Sequence, residues 1–226
     1  MTPHVYGVFL RPDATTAVAI SNVTFHVARQ FGFVSAGAFP PHATLAGSVP
    51  LLAEPDEVVA LLDPALRDRA GFPVHNLGIV KHATAITYEV DRMPDGRKND
   101  ELRELAVDVN AVLQPHAVPL DAHLVGEFAP DRFRAHLSLA SHELQARPDL
   151  SDEVEEFIRA LPFEPSPRFE ARDVALYRFF SADWSRRWWE DLTWEHVRTW
   201  RLASAAPGAV VGGVPGRARS GAPTSP

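Results

Sequence analysis

The sequence of 226 residues contains no cysteine, which excludes disulfide bonds and metal sites built on thiolates. It also contains no apolar run near the roughly 20 residues that a membrane-spanning helix needs. Residues 1–4 lack the basic start and the apolar region of a secretory signal peptide. A chain of this length suits one domain or two closely packed lobes. We therefore expect a globular protein of the cytoplasm.

Basic residues are scarce, with 22 lysines and arginines against 29 aspartates and glutamates. Beyond Leu202 the only charged residues are Arg217 and Arg219, so residues 1–202 hold 20 basic and 29 acidic side chains, a net charge near −9. Proteins that bind long nucleic acids usually present a basic face, and this chain has no basic run. A small nucleotide or a single RNA end fits this balance better than a long duplex.

Two short and similar stretches lie far apart in the chain. The first is His42–Leu45, with the sequence His-Ala-Thr-Leu, and the second is His136–Leu139, with the sequence His-Leu-Ser-Leu. Their histidines are 94 residues apart. Successive side chains of a β-strand point to opposite faces, so the histidine and the hydroxyl residue of each stretch share a face. If the two strands are neighbours, both pairs converge on one cleft.

These residue types suit the transfer of a phosphoryl group. His42 and His136 can divide the roles of general acid and general base. The hydroxyls of Thr44 and Ser138 can hold the non-bridging oxygens of a phosphate. A structural role for each residue taken singly is common, and the pairing of the two stretches favours catalysis.

Apolar periodicity predicts the same order of elements twice: a helix, the motif strand, a second helix and two strands. In the first half, helical spacing leads up to Gly32, the motif strand ends at Gly47 and Pro50, and Pro55 opens the second helix. Predicted strands follow at 73–81 and 84–90. In the second half we predict helices at 102–113 and 150–161 and strands at 134–140, 169–180 and 192–202.

The spacing of the elements supports an internal duplication. Ile79 lies 37 residues after His42, and Val174 lies 38 residues after His136, each in a strand that follows the second helix of its half. The last residues, 204–226, are rich in glycine, proline and alanine and cannot bury enough apolar surface to fold, so we predict a disordered tail.

The paired motifs resemble those of the 2H phosphoesterase superfamily, in particular the 2′-5′ RNA ligase-like proteins and the cyclic nucleotide phosphodiesterases. The resemblance covers residues 3–203. It differs in one respect, since Pro41 precedes the first histidine but Ala135 precedes the second. It implies an α+β, bilobal fold with two antiparallel-sheet lobes, helices outside and a central cleft. We place one domain at 1–203, with lobes at about 1–92 and 99–203.

The resemblance also implies a function. We expect a metal-independent phosphodiesterase without a cofactor, acting as a monomer on a 2′,3′-cyclic phosphate or a related nucleotide or RNA-end phosphodiester. By the same resemblance His42 is the acid and His136 the base, although the near-symmetry of the two halves leaves that order open. The alternatives are 2′-5′ RNA ligation at the same site and a nucleotide-binding regulatory protein without turnover.

Three further residues are candidates for substrate binding. Arg134 precedes His136 by two residues and would share its face, although it is equally suited to the surface. Tyr177 and Arg178 lie in the strand after the second helix of the second half and could contact the base or the phosphate. No spacing typical of a metal site occurs among the remaining histidines.

The stretch after the second motif and the end of the chain carry other ring-bearing residues. His142 could line the rim of the cleft, although a solvated position after the strand is the more common outcome. All five tryptophans lie between residues 184 and 200, where they can stack on nucleobases or pack the last strands together. Packing is the expected role for most of them.

Overall fold

A computed structural model describes residues 2–120, 128–184 and 187–204 of the chain. Within these ranges the chain forms nine β-strands and five α-helices. The strands are β1 (His4–Arg11), β2 (Ala43–Leu51), β3 (Phe72–His75), β4 (Ile79–Lys81), β5 (Ile86–Glu89), β6 (His136–Ala140), β7 (Arg168–Ala171), β8 (Asp173–Phe180) and β9 (Thr193–Arg201). The helices are α1 (Ala14–Phe31), α2 (Pro55–Leu66), α3 (Asp100–Leu113), α4 (Glu143–Ala146) and α5 (Ser151–Ala160).

Helix α1 begins and ends at residues that favour helix termini. The Asp13 carboxylate accepts a hydrogen bond from the backbone N–H of Thr16 at 2.8 Å, which caps the first turn. Gly32 follows the last turn at φ 74°, in the left-handed region that glycine adopts at low cost. The buried face of α1 consists of Thr16, Ala19, Ile20, Val23, Thr24 and Val27. Pro55 opens α2, as the sequence predicts.

Seven strands form one antiparallel sheet in the order β4-β5-β6-β2-β1-β8-β9, and β3 pairs with β7 separately. Six of the seven strands are arranged symmetrically about the line between β6 and β2. On one side of that line β6, β5 and β4 follow one another, and on the other side β2, β1 and β8 occupy the corresponding positions. Ile79 begins β4 and Val174 lies near the start of β8, so the predicted repeat matches equivalent strands. The predicted α+β class with antiparallel sheets and an internal repeat is confirmed.

The two halves of the sequence interleave in the large sheet. The β4–β5 hairpin of the first half pairs with β6 of the second half, while β8 and β9 of the second half extend the sheet from β1. The domain at 1–203 and the lobe boundaries at 1–92 and 99–203 stay predictions from the sequence.

Several predicted strands have different boundaries. The predicted strand 73–81 is two strands, β3 and β4, in different sheets, with Gly78 at φ 98° between them. The predicted strand 169–180 likewise divides at Arg172 into β7 and β8. Strand β2 continues beyond Gly47 and Pro50, because Ser48 adopts φ 43° and a register shift against β1 absorbs the irregularity. Strand β6 begins at His136 rather than at residue 134.

Two further predictions concern the ends of the chain and the membrane. Within the described ranges, no helix is both long enough and apolar enough to cross a bilayer. The predicted disordered tail, 204–226, lies outside the described residues except for Ser204.

We expect a substitution at Asn110 to destabilise the protein. This buried side chain on α3 donates hydrogen bonds of 2.8 Å to the carbonyls of Leu45 and Ala106, and so ties α3 to the first motif strand. In Asn110→Leu the Leu45 carbonyl loses this donor, and the free energy of unfolding falls by roughly 1–3 kcal/mol. Urea unfolding measures the change. Glu104→Leu, at an exposed position of α3, is the control, and equal losses in both variants would contradict the assignment.

Candidate active site

The two motif strands lie side by side in the middle of the large sheet. Ala43 of β2 pairs with Leu137 of β6, and both side chains are buried in the core. His42 immediately precedes β2, and His136 is the first residue of β6. The alternation of side chains along a strand therefore directs both histidines away from the core, as the sequence predicts.

A cavity of about 500 Å³ opens on that face of the sheet. All four motif residues, His42, Thr44, His136 and Ser138, line it. The structure thus brings together the two imidazoles and the two hydroxyls that lie 94 residues apart in the chain. Each hydroxyl can donate one hydrogen bond and accept others from a bound ligand.

The two imidazoles are held by the same backbone contact. His42 Nδ1 lies 2.7 Å from the Pro40 carbonyl oxygen, and His136 Nδ1 lies 3.0 Å from the Arg134 carbonyl oxygen. A carbonyl oxygen only accepts, so Nδ1 carries the proton and donates in both rings. The second nitrogen, Nε2, then holds the lone pair in the neutral form and a proton in the charged form. Both rings can therefore exchange protons through Nε2.

The surroundings of His42 are aromatic. The rings of Phe9 and Phe39 meet its imidazole edge-to-face at centroid distances of 4.6 and 4.7 Å. Burial among these rings lowers the pKa of His42 from 6.5 to about 4, although the bond to the Pro40 carbonyl opposes the shift and the nearby His136 adds slightly to it. His42 is therefore neutral near pH 7.

The surroundings of His136 are more open. The residue is exposed at the start of β6, and it lines the cavity. The pKa of His136 is lowered, mainly by desolvation and to a smaller degree by the nearby His82. The hydrogen bond to the Arg134 carbonyl and the carboxylate of Asp91 oppose this shift. The two histidines share a backbone contact but differ in solvent access and in neighbours.

The structure does not bring the three minor candidates to the cavity. Arg134 contacts His136 through its backbone carbonyl, and its exposed side chain is not among the described residues that line the cavity. Tyr177 is buried beneath the site, where its ring packs against Phe39. Arg178 points to the other side of β8 and pairs with Glu195 at 2.6 Å.

Other residues that line the cavity carry weaker signals in the sequence. His142 lies at the rim, and its imidazole stacks on Trp189 at a centroid distance of 4.8 Å and an angle of 11°. Trp184 and Trp188 also line the cavity, whereas Trp200 is buried in the packing of the last strands. The remaining lining residues that the sequence does not single out include Ser35, Phe39, Ser141, Gln145, Phe179 and Leu192.

Glu143 joins the two halves of the chain at the edge of the cavity. Its carboxylate accepts hydrogen bonds from the backbone N–H groups of Val34 and Ser35, at 2.7 and 2.8 Å, and from the Ser35 hydroxyl. The Ser35 hydroxyl also lies 3.0 Å from that of Ser141. This cluster fixes the turn before β2 against the segment that follows β6.

Charge and metal ligands are sparse at the site. The described residues that line the cavity include no lysine and no arginine. Among the residues that the structure describes, no group of three or more histidines, aspartates or glutamates is placed to hold a metal ion. The titratable groups at the centre of the described lining are the imidazoles.

The fold is similar to that of several solved structures. E. coli LigT in complex with 3′-AMP superposes with a TM-score of 0.51 at 16% identity, over 89% of this chain and 99% of that one. A protein described as a phosphoesterase has a TM-score of 0.50 at 17% identity, over 89% and 99% of the two chains. The protein TT0787 of Thermus thermophilus has a TM-score of 0.50 at 13% identity, over 89% and 100%.

At this level of identity the similarity concerns the fold. No protein-family model and no curated protein sequence matches the chain. The α+β fold with a large antiparallel sheet, which the resemblance implies, is confirmed.

The lowered pKa of His42 predicts how stability depends on pH. The unfolded chain takes up a proton at this residue near pH 6.5, but the folded protein takes it up only near pH 4. Stability is therefore lost progressively as the pH falls from about 6.5 to about 4. In His42→Gln this loss should be smaller, as measured by urea unfolding across that range. His116→Gln, at an exposed position, is the control, and parallel curves for all three proteins would contradict burial of a neutral His42.

Proposed function

We propose that this chain, which has the fold of the 2H phosphoesterases, is a phosphodiesterase that opens 2′,3′-cyclic phosphates of nucleotides or RNA ends without a metal ion. One observation carries the proposal. Two imidazoles with the same protonated Nδ1 and the same available Nε2 line a single cavity together with two hydroxyls.

The reaction needs one neutral and one protonated imidazole. The neutral Nε2 takes a proton from the attacking water, and the new bond forms between the water oxygen and phosphorus. The bond between phosphorus and one ribose oxygen breaks, and the protonated Nε2 gives its proton to that oxygen. The hydroxyls of Thr44 and Ser138 donate to the non-bridging oxygens as negative charge develops on them.

The surroundings favour His42 as the base and His136 as the acid. Aromatic burial keeps His42 neutral down to about pH 4, which suits a group that must accept a proton. Desolvation lowers the pKa of His136 as well, but this residue is more exposed than His42 and the Arg134 carbonyl and the Asp91 carboxylate oppose the shift, so His136 is the ring of the two that is protonated more readily. This order is the reverse of the one that the family resemblance implies.

A nucleotide substrate agrees with the comparison. E. coli LigT has been crystallised with 3′-AMP, which is the kind of monoester that opening of a 2′,3′-cyclic phosphate at the 2′-oxygen produces. A cytoplasmic location and a monomeric state stay predictions from the sequence.

We expect turnover to depend on both histidines. His42→Ala and His136→Ala should each lower kcat/KM for a 2′,3′-cyclic mononucleotide by roughly 10²–10⁴-fold. The double variant should lose little more, because both groups serve one transition state. His116→Ala is the control for an exposed histidine, and all assays contain EDTA.

Assays with a panel of substrates distinguish a phosphodiesterase from a ligase and from a nucleotide-binding regulatory protein. Hydrolysis of cyclic phosphates in EDTA supports the proposal, whereas joining of RNA halves carrying a 2′,3′-cyclic phosphate and a 5′-hydroxyl would indicate a ligase. Binding of a nucleotide with no turnover would indicate a regulatory protein. Loss of activity in EDTA that a divalent ion restores would overturn the metal-independent mechanism.

The pH dependence of kcat/KM tests the two roles. A neutral base and a protonated acid give a bell-shaped profile, with macroscopic pKa values that belong to the coupled pair. If His42 is the base, the residual activity of His42→Ala should keep only the alkaline limb, and that of His136→Ala only the acidic limb. The opposite pattern would exchange the roles, and a flat wild-type profile between about pH 5 and 9 would exclude the mechanism.

A further inference from the structure

We propose that Thr87 is a positioning residue of the proposed reaction, whose hydroxyl donates a hydrogen bond to the hydroxyl of Ser138 when Ser138 donates to the phosphate. This inference rests on the proposed function, because Ser138 is one of its two phosphate-binding hydroxyls. It adds a third hydroxyl, from outside the two motifs, that acts on the substrate through Ser138.

Thr87 lies in the strand next to the second motif, directly opposite Ser138. The register of β5 and β6 pairs Thr87 with Ser138 and Tyr88 with Leu137. Tyr88 and Leu137 are buried in the core, so the alternation of side chains turns Thr87 and Ser138 toward the face on which the cavity opens. Side chains directly opposite each other have Cβ atoms about 4.5–5.5 Å apart, which lets two hydroxyls reach each other.

The hydroxyl of Thr87 is buried without a partner. Thr87 is 1% exposed, and its Oγ1 has no hydrogen-bond partner among the residues that the structure describes. A buried polar atom without a hydrogen bond lowers stability, and a valine of nearly the same shape would avoid that loss. The hydroxyl at this position therefore points to a partner that it gains when the protein binds its substrate.

Ser138 is the partner that the strand pairing offers. The two side chains that flank Thr87 across the sheet are Val80 of β4 and Ser138 of β6, and valine has no polar group. A serine hydroxyl has one proton and two lone pairs. When that proton points to a phosphate oxygen, a lone pair can accept the proton of the Thr87 hydroxyl. The bonds then form a chain from Thr87 through Ser138 to the phosphate, in which each bond polarises the next.

The other half of the sheet has a different residue at the equivalent place. Phe9 of β1 stands opposite Thr44, as Thr87 stands opposite Ser138. A phenyl ring has no hydroxyl proton to donate, so it cannot orient the Thr44 hydroxyl in this way. The inference therefore assigns the stronger bond to the phosphate to Ser138 and the weaker one to Thr44.

A double-mutant cycle tests the inference with adenosine 2′,3′-cyclic phosphate as substrate. Thr87→Val should lower kcat/KM roughly 2- to 12-fold, which corresponds to one hydrogen bond between neutral groups. Thr87→Ser should restore most of that loss. In a Ser138→Ala background Thr87→Val should have no further effect, because it acts through Ser138. In a Thr44→Val background the same substitution should cause its full loss, and equal losses in both backgrounds would overturn the inference.

Stability separates a positioning role from a structural one. Removal of an unpaired buried hydroxyl should leave the urea midpoint of Thr87→Val equal to or above that of the wild type. Thr16→Val is the matched control, because the buried Thr16 hydroxyl accepts a hydrogen bond from the Ser166 backbone N–H at 3.2 Å. This control should lower the midpoint and leave kcat/KM unchanged. A lowered midpoint in Thr87→Val would mean that its hydroxyl is already paired in the free protein, which contradicts the inference.

Binding distinguishes a failure of this inference from a failure of the proposed function. If the wild type does not hydrolyse the cyclic phosphate, calorimetric titration with adenosine 3′-monophosphate replaces turnover in the same cycle. Weaker binding by Thr87→Val that disappears in the Ser138→Ala background would support the chain of hydroxyls while the proposed activity fails. Absence of binding by the wild type, or a loss that persists in the Ser138→Ala background, would overturn the inference.

Discussion

The pairing of Ala43 with Leu137 is the contact on which the site depends. It is the register pair that the described strands β2 and β6 share, and it joins the two repeats of the large sheet. Because both residues point into the core, their neighbours in each motif must point the other way. Burial of the apolar residues thus fixes the direction of the histidines, and the two motifs become one cavity wall without any direct bond between their functional groups.

The near-symmetry of the two repeats explains why the histidines are alike, and one pair of residues explains why they differ. Phe9 of β1 stands opposite Thr44, whereas Thr87 of β5 stands opposite Ser138 at the equivalent place. The phenyl ring reaches the imidazole of His42 and, with Phe39, removes it from water. A threonine is too short to do the same for His136. A symmetric scaffold therefore holds an asymmetric pair, which acid–base catalysis requires.

The sequence predicts the parts of this arrangement that follow from periodicity. Alternation in the two motifs identifies four cavity residues, and helical spacing with Asp13, Gly32 and Pro55 identifies α1 and α2. Interleaving of strands is a matter of long-range pairing, and no local pattern reports it. For the same reason Ser35 and Glu143, whose contact spans 108 residues, carry no sequence signal. Tyr177 shows the converse case, since periodicity predicts its strand but does not report that its ring is buried against Phe39.

The charge of the cavity connects the proposed chemistry to the choice of substrate. The described lining holds no lysine or arginine, so the positive charge that these residues can supply comes from the imidazoles. Burial lowers the pKa of both imidazoles, and the two repel when both are protonated, so the pair takes up one proton far more readily than two. One positive charge balances a phosphodiester, which carries one negative charge, and it is also the protonation state in which one ring is a base and the other an acid. In the proposed reaction, hydrolysis yields a monoester whose second ionisation lies near pH 6. The product then carries more negative charge than a singly protonated pair can balance, which favours its release from a site that matches the reactant.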